Sequence, residues 1–447
     1  MKYKKVFSTT RFTTKAQNNF NADAKRKSII CGARSDESRT VLVGKLIEQG
    51  RTSNILDYSV LCDISFPHVI GIFGSRGSGK SFDLGIFLEG IFALQSEQTS
   101  DAAIIFDVQD QFWTLAYTPH QGIEEDQGQL DELRRWGLEP RAVQSVSVLV
   151  PEASDTQVPG AKPFALASEQ LTSSDWLAIL ELDRYSAMGQ ALLTLLRSLG
   201  PSTPGELARA CSDNPALSSF QTSTVDGVRW RLESLEETRI VAASGISIDD
   251  VLKPGSLTII LMRNLAESVR GLVVGVMSRL IADRMGRVQQ ARKVALRTAR
   301  ESELELPDLT RRFWMVLDEA HVLVPSDGTT AATGPLVDYV KRGRDAGLSL
   351  IFATQQPSAV NSKLMSQVDL TITHTLGFDA DLSAAVARMP TRTSVEYEIA
   401  NQKVSALGDI IRNLGPGEAI VADSASGRAF IAKMRPRVSA HGGATPK

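Results

Sequence analysis

Short apolar runs alternate along the chain with longer segments in which apolar residues recur at helical spacing. The runs with a strand pattern are residues 69–73, 102–106, 143–150, 256–262, 313–317, 348–353, 370–376, 418–422 and 429–434. After the first run, Leu84, Phe87, Leu88 and Ile91 fall on one helical face. Strands that alternate with helices indicate an α/β fold, in which helices cover both faces of a mainly parallel sheet. The ligands of such a sheet bind at the carboxyl ends of its strands.

Two parts of the chain depart from this alternation. Residues 168–243 carry mainly helical signals, which we interpret as an insertion within the core. The first residues form a basic, polar arm, and weak strand signals at 40–43 and 56–61 predict a small β-rich lead-in. The predicted units are the arm and lead-in at 1–65, the helical insertion at 161–244 and the core at 66–160 and 245–447.

A glycine-rich segment connects the first core run to its helix, which is the context of a phosphate-binding loop. Glycines let backbone N–H groups wrap a polyphosphate, and the helix N-terminus adds the positive end of its dipole. We expect Lys80 to reach the β- and γ-phosphates and Ser81 to ligate Mg²⁺. The predicted nucleotide-binding residues are Gly74, Ser75, Arg76, Gly77, Ser78, Gly79, Lys80, Ser81 and Phe82.

A second motif narrows the chemistry, because the run 313–317 ends in Asp318 and Glu319. An Asp at the end of such a strand holds Mg²⁺, and the adjacent Glu319 is placed to polarise an attacking water. An Asp-Glu pair can also merely start a helix, but the apolar run before it and the phosphate loop upstream favour the catalytic interpretation. Hydrolysing motor ATPases usually have this second carboxylate. The predicted ligands are therefore ATP and Mg²⁺, with Ser81 and Asp318 on the metal and Lys80 and Glu319 in catalysis.

Two further polar residues follow strand runs at the same predicted edge. Gln355 follows the run 348–353 and could sense the γ-phosphate or position the water; a structural glutamine is the alternative. Asp107 ends the run 102–106, which we expect beside the strand of Asp318. It could orient Glu319 or the water, or simply form a turn.

Three cations, Lys341, Arg342 and Arg344, lie at the end of a predicted helix. Cations at this position can simply complement the helix dipole. They can also supply an arginine finger that reaches the γ-phosphate of a neighbouring subunit, which contributes about 10³–10⁵ in rate. We favour Arg344 as this finger, with Arg342 next.

Composition and charge limit the class of protein. The net charge of −2 over 447 residues excludes a globally basic nucleic-acid binder but leaves room for a local basic channel. Three scattered cysteines favour a reducing cytoplasm and argue against a zinc site. No apolar run approaches the ~20 residues of a membrane helix. Residues that could form a basic stripe on one helix, or a solvated face, are Arg287, Arg292, Lys293, Arg297 and Arg300.

In their order along the chain, these motifs resemble the HerA–FtsK branch of additional-strand, catalytic-Glu ATPases, and HerA-like proteins in particular. The segments that carry the resemblance are 68–81, 105–112, 317–321, 341–347, 353–358, 415–419, 435–437 and 441–443. The resemblance implies a RecA-like core, a ring that is usually hexameric, and ATP-driven movement along double-stranded DNA. It also implies that Arg344 acts in trans and that a nuclease or other effector works with the ring, in DNA repair or antiviral defence.

The sequence departs from the family pattern in two places. The lead-in is shorter than the usual β-barrel, which leaves partner docking open, and Gln356 stands where the family often has Arg. Two other functions stay open. The ring could be an ATP-gated scaffold that organises an effector without moving DNA, or a motor for protein or DNA secretion.

Overall fold

The structure is a computed structural model that describes residues 4–6, 22–23, 28–32, 39–47, 55–94, 99–154, 156–298, 309–390, 396–399, 402–404 and 407–442. Its strands are β1 (Lys4–Val6), β2 (Ala22–Asp23), β3 (Ser28–Cys31), β4 (Thr40–Ile47), β5 (Ile55–Asp63), β6 (Val69–Phe73), β7 (Ala102–Asp107), β8 (Val146–Pro151), β9 (Lys162–Phe164), β10 (Leu166–Ala167), β11 (Val241–Ala242), β12 (Leu257–Leu261), β13 (Phe313–Leu317), β14 (Leu348–Thr354), β15 (Leu370–Thr373), β16 (Glu396–Ile399), β17 (Gln402–Val404), β18 (Glu418–Asp423) and β19 (Arg428–Met434).

The α-helices lie between these strands, as the alternation of the sequence predicts. They are α1 (Lys80–Phe92), α2 (Glu124–Trp136), α3 (Ser173–Ile179), α4 (Ala187–Leu199), α5 (Pro204–Asp213), α6 (Thr222–Glu237), α7 (Ile248–Val251), α8 (Glu267–Thr298), α9 (Ala320–Leu323), α10 (Thr333–Ala346), α11 (Ser362–Met365), α12 (Asp379–Val386) and α13 (Leu407–Arg412).

Fourteen of the described strands form one sheet, in the order β2-β3-β5-β4-β19-β18-β15-β6-β14-β13-β7-β12-β8-β9. All neighbours from β15 to β9 are parallel. Every residue of β7, β12, β13 and β14 is buried. Helices cover both faces of these strands, and this explains why their sequences are continuous apolar runs without alternation. The predicted α/β fold with a mainly parallel sheet is confirmed.

The lead-in strands extend this same sheet. β4 pairs with β19 in antiparallel orientation, with Leu46 opposite Ala432, and β5 and β3 continue beyond β4. The core cluster that contains Val41 and Val43 also contains Leu84 and Phe87 of α1. Apart from β1 and β2, the basic arm at residues 1–27 lies outside the described residues. The division into units at 65, 160 and 245 stays a prediction.

The segment predicted to be a helical insertion contains α3, α4, α5 and α6. The N-cap of α3 is Thr172, the residue before Ser173. Its hydroxyl accepts from the Asp175 N–H at 3.3 Å, while the Asp175 carboxylate accepts from the Thr172 N–H at 2.7 Å. Asp175 also meets Arg279 of α8 at 2.8 Å. This capping box stabilises the helix start, and its acid ties the helix to the core.

Residues 435–442, which we call the C-terminal strap, are bound to α1 through a buried ion cluster. Glu89, Arg435 and Arg437 are completely buried. Glu89 Oε2 accepts from Arg435 at 2.8 Å, and Oε1 accepts from Arg437 at 3.1 Å and from the Ser439 hydroxyl at 2.6 Å. Burial opposes the charge of Glu89, but the two guanidinium groups outweigh it and lower the pKa of this carboxyl. Pairing with additional hydrogen bonds is what makes such buried charges tolerable.

His68 lies between two carboxylates at the start of β6. Its Nδ1 is 2.8 Å from Asp369 Oδ2 and its Nε2 is 3.2 Å from Asp63 Oδ2. A ring that faces a carboxylate at each nitrogen is favoured as the doubly protonated cation. Burial lowers the pKa of His68, but the hydrogen bonds to Asp369 and Asp63 outweigh burial and raise the pKa to about 9.

We predict that the proton on His68 stabilises the folded chain. The pKa in the fold exceeds the ordinary value of 6.5, so the stabilisation is complete below about pH 6.5 and is lost as the pH rises through about 9. Urea unfolding should show that the stability deficit of His68→Gln shrinks by about 3 kcal/mol between about pH 6 and about pH 9. His120, which is exposed, provides the control variant His120→Gln. An equal deficit of His68→Gln at both pH values would contradict the charged assignment.

Candidate nucleotide-binding and hydrolytic site

The phosphate loop joins β6 to α1 and depends on its glycines for its shape. Gly77 and Gly79 have φ values of 73° and 118°, which side chains rarely adopt. At Gly74 a Cβ atom would lie 2.3 Å from Ser78 Oγ and 2.9 Å from His374 Cβ. These contacts leave space for a tight backbone turn and none for a side chain at Gly74. Arg76, by contrast, is exposed.

The N-terminus of α1 leaves donors for an anion. The first backbone hydrogen bond of the helix runs from Asp83 N–H to Gly79 O at 2.9 Å. The N–H groups of Lys80, Ser81 and Phe82 therefore precede it, and they donate to no described residue. Ser78 Oγ is also buried without a hydrogen-bond partner in the described chain. This combination of helix amides and an unpartnered hydroxyl fits a polyphosphate.

Lys80 points back across the loop, where its Nζ donates to Ser75 O at 3.0 Å. Burial lowers the pKa of Lys80, and the carboxylates of Glu319 and Asp318 oppose that shift. The ammonium group thus lies between the loop and the two acids. This is the region in which the terminal phosphates of a bound nucleotide would need a positive charge.

Ser81 and Asp318 come together as a metal site requires. Ser81 Oγ lies 3.5 Å from Asp318 Oδ2, and Gln111 Nε2 lies 3.5 Å from the same oxygen. Burial, reinforced by the nearby Glu319, raises the pKa of Asp318 to about 7. The Ser81 hydroxyl and the buried Asp318 carboxylate supply oxygen donors, which are the donors that Mg²⁺ prefers. The residues present therefore fit Mg²⁺.

Glu319 adopts a strained backbone conformation at the end of β13. Its φ is 53°, a left-handed value that costs about 1–3 kcal/mol for a residue with a side chain. Its Oε1 accepts a hydrogen bond from Gln355 Nε2 at 2.5 Å. Its Oε2 is buried and accepts no hydrogen bond within the described chain. The carboxylate is therefore held at one oxygen and has no hydrogen bond at the other, which leaves that oxygen able to accept a proton.

Gln355 and His321 complete the surroundings of Glu319. His321 Nδ1 lies 3.1 Å from the Thr354 hydroxyl and 3.4 Å from Glu319 Oε2. Burial lowers the pKa of His321, so its ring is neutral at neutral pH. The contact with Glu319 is consequently not an ion pair. Gln356, at the position where the family often has Arg, is exposed.

Asp107 forms a turn, which was one of its two predicted roles. Its carboxylate accepts from the N–H groups of Gln109 at 3.1 Å and Phe112 at 2.7 Å. Burial raises the pKa of Asp107 to about 7, against the effect of these two N–H donors. Both oxygens are therefore engaged by the turn after β7. That turn places Gln111 beside Asp318.

Sequence reasoning did not assign His374, which borders the loop. The predicted strand 370–376 ends at Thr373, because the chain then turns to contact the loop and Thr375 O accepts from Ser75 N–H at 2.8 Å. His374 follows the strand end and packs on Gly74 and Gly79. A correct prediction of the strand end would have identified His374 as a candidate, because Glu319 and Gln355 were found as polar residues that follow strand ends.

The predicted arginine finger lies at the other edge of the sheet. Arg344 precedes β14, whose seven residues span about 20 Å before Gln355 is reached. Arg342 pairs with Asp283 at 2.7 Å and Lys341 with Asp338 at 3.9 Å. Arg344 is exposed and forms no ion pair with any residue that the structure describes. It lines a cavity of about 300 Å³ together with His68 and Asp369.

The predicted basic stripe on α8 is partly engaged in other contacts. Arg292 donates to Leu309 O at 2.7 Å, and Lys293 lies 3.6 Å from Asp345. Arg287 donates to Asp283 O at 3.3 Å, whereas Arg297 is exposed. Arg300 lies outside the described residues. The role of the stripe in nucleic-acid contact stays a prediction.

A phosphate loop, a metal-site Asp and a catalytic-type Glu at the carboxyl edge of a parallel sheet define a P-loop ATPase with a RecA-like fold. The family described as "Helicase HerA, central domain" matches residues 41–281. This match covers more than half of the chain, and the chain belongs to that family. Along the described parts of the chain, no helix combines the length and apolar character that crossing a bilayer requires.

Individual relatives are distant. "DNA double-strand break repair helicase HerA" of Pyrococcus furiosus is 23% identical over 223 residues, which cover 47% of this chain and 38% of that protein. The aligned region thus spans well under half of the relative.

Solved structures share the fold. The conjugative coupling protein TrwB has a TM-score of 0.54 at 13% identity and covers 100% of this chain and 95% of its own. VirB4 of Thermoanaerobacter pseudethanolicus has a TM-score of 0.54 at 16% identity, and the match covers 90% of this chain and 97% of VirB4. TrwB in complex with ADP and Mg²⁺ has a TM-score of 0.52 at 14% identity, and the match covers 91% of this chain and 97% of TrwB.

The hydrogen bond from Gln355 to Glu319 leads to a prediction. Gln355→Ala should lower the kcat of ATP hydrolysis by about 10–100-fold and leave the KM nearly unchanged, because the orientation of the acid is lost while the phosphate cradle stays intact. Steady-state phosphate release measures both constants. The neighbouring Gln356→Ala removes an exposed side chain and should retain full activity. Equal effects of the two substitutions would contradict the proposed role of Gln355.

Proposed function

We propose that this chain is an ATP-hydrolysing motor that assembles as a homo-oligomeric ring, hexameric in the manner of HerA-like proteins, and moves along double-stranded DNA. The observation that carries the proposal is the division of the site between two edges of the sheet. The cradle, the metal ligands and Glu319 lie at the carboxyl edge, whereas Arg344 lies exposed at the amino edge. A site divided in this way is completed by a second subunit.

Each group at the carboxyl edge has a role in hydrolysis. The amides of the loop and the Lys80 ammonium hold the phosphates, while Ser81 and Asp318 would hold Mg²⁺. The metal, when bound, neutralises charge on the phosphates. Glu319 takes the proton of the attacking water at Oε2, which accepts no hydrogen bond within the described chain, and Gln355 holds Oε1 in place. Ser75 and Arg76 belong to the same loop, and Phe82 follows Ser81 in sequence.

The position of Arg344 supports action on the nucleotide of a neighbouring subunit instead of its own. An arginine side chain is far shorter than the about 20 Å that β14 spans between Arg344 and Gln355. In a ring, the amino edge of one subunit faces the carboxyl edge of the next, so Arg344 reaches the neighbour's γ-phosphate. Arg342 is less suited because it is paired with Asp283.

The DNA substrate and the partner are proposed by analogy with the family. The chain shares its central domain with HerA, and its relative of that name in Pyrococcus furiosus is a double-strand break repair helicase. By this analogy the ring takes double-stranded DNA through its centre in the cytoplasm. It works with a nuclease or other effector, in DNA repair or antiviral defence.

Mixing two inactive variants tests the shared site. We predict that Arg344→Ala and Glu319→Gln each bind ATP and each lose about 10³-fold in turnover or more, because each lacks one half of the catalytic constellation. Mixed rings contain some interfaces with an intact Arg344 facing an intact Glu319. Mixing should therefore restore part of the phosphate release.

The matched control for this experiment is Arg342→Ala, which removes the ion pair with Asp283 and should keep most of its activity. An absence of recovery in mixed rings of confirmed composition would contradict action in trans. A monomer with full activity would contradict it as well. A Glu319→Gln variant that turns over ATP at the wild-type rate would instead remove Glu319 from its role.

Addition of linear duplex DNA tests the motor function. ATP hydrolysis by the wild-type ring should rise several-fold, and the rise should weaken as salt increases because phosphate contacts release counterions. Phosphate release is measured with duplex DNA, with single-stranded DNA and without DNA. A rate that does not respond to any DNA, in a ring whose assembly depends on ATP, would favour the scaffold function instead.

A further inference from the structure

The C-terminal strap brings an aromatic side chain to the mouth of the phosphate cradle. The rings of His441 and Phe82 have centroids 5.4 Å apart at an interplanar angle of 74°. Phe82 directly follows Ser81, and both Phe82 and His441 are partly exposed. His441 is separated from Phe82 by more than 350 positions in the sequence, so only the fold makes them neighbours.

Several contacts fix the strap in this position. The Arg437 side chain packs on Gly85, where a Cβ atom would lie 2.7 Å from its Nε. The N–H groups of Val438 and Ser439 each donate to Glu89 at 3.0 Å, and Ala440 N–H donates to Tyr117 O at 2.9 Å. The strap thus runs along α1 toward its N-terminus. These contacts fix the position of His441 beside Phe82.

The same contacts fix the tautomer of His441. Its Nδ1 lies 3.2 Å from Arg437 Nη1. A guanidinium group only donates hydrogen bonds, so Nδ1 accepts and the ring proton resides on Nε2. Burial and the charge of Arg437 lower the pKa of His441 to about 4, so the ring stays neutral. His441 Nε2–H therefore remains a donor, and no described residue accepts from it.

The other histidine at the cradle has no such free group. His374 Nε2 is 2.8 Å from Asp83 Oδ2, and its Nδ1 is 3.0 Å from Glu418 O. Both of its nitrogens are engaged within the protein. His441 is thus the histidine at the start of α1 that retains a hydrogen-bonding group for a ligand.

The phosphate chain of a bound nucleotide has a hydrolytic end and a nucleoside end. The γ-phosphate, at the hydrolytic end, would lie next to Glu319 and Gln355. The nucleoside would therefore extend from the cradle on the side away from these two residues. The amide of Phe82 is the last N–H of α1 that precedes the helix hydrogen bonds. Phe82 and His441 present an aromatic surface and one hydrogen-bond donor beside this last free N–H group. An aromatic surface and a donor are what binding of a base or a ribose requires.

We propose that His441 is a nucleoside-binding residue, which donates from Nε2–H to the ribose or base of the bound nucleotide and forms an aromatic wall with Phe82. This inference rests on the proposed function, because it assumes that ATP is the ligand of the loop. It assigns to the strap a specificity role that neither the loop nor the Asp-Glu pair supplies. Inorganic tripolyphosphate carries the phosphates without the nucleoside and so separates the two contributions.

The test compares the Kd of ATP and of tripolyphosphate, each with Mg²⁺, for the wild-type ring and its variants. His441→Ala should weaken ATP binding by about tenfold, the size of one hydrogen bond with its ring contact, and leave tripolyphosphate binding unchanged. His441→Gln keeps an N–H donor at a similar reach and should recover most of the affinity. His120→Ala, at an exposed histidine, should alter neither Kd.

The outcomes separate this inference from the proposed function. An equal loss for both ligands in His441→Ala and His441→Gln would make His441 a structural residue and overturn the inference. If His441→Ala binds ATP as the wild-type ring does and the ratio of the two Kd values is unchanged, the inference is overturned and the proposed function is not affected. A wild-type ring that binds neither ATP nor tripolyphosphate would overturn the proposed function, and this inference with it.

Discussion

The site depends on one geometric constraint, that the carboxyl ends of adjacent parallel strands meet at one edge of a sheet. β6, β14 and β13 are neighbours in register, with Thr354 opposite Phe73 and Leu317 opposite Phe352. The sheet therefore brings together the residues that follow these strands, although they are far apart in the sequence. These residues are Gly74, Gln355 and Asp318. Each strand is a buried apolar run, so the burial that forms the sheet also assembles the site.

The electrostatics of this edge indicate a site prepared for bound ligands. Burial raises the pKa values of Asp318 and Asp107, with the charge of Glu319 adding to the shift at Asp318, and burial lowers the pKa of Lys80. Glu319 is held in a left-handed conformation, which is costly for a glutamate. Strain and unfavourable charge of this kind are typical of functional sites, where a cation and a polyphosphate provide the compensating interactions.

The two ends of the core are joined by long-range polar contacts. Glu89 of α1 binds Arg435 and Arg437 across more than 340 positions of sequence. The C-terminal strap is consequently part of the structure around the phosphate helix. Arg344 belongs to the opposite edge, where its charge is not matched by a described acid. The chain therefore builds the cradle from its own residues and leaves the Arg344 cation exposed at the opposite edge.

The sequence by itself determined the strands, the loop and the acidic pair, because continuous apolar runs and glycine spacing are local properties of the chain. It also predicted that Gln355 lies at the same edge as Gly74 and Asp318, since strand ends share an edge. The neighbours Gln111, His374 and His441 were decided only by tertiary structure. Gln111 is placed by a turn on Asp107, His374 by a strand that ends three residues early, and His441 by a buried ion cluster on Glu89. The end of β15 and the pairing of Glu89 with two distant arginines leave no periodic signal, because they depend on packing between segments far apart in the chain.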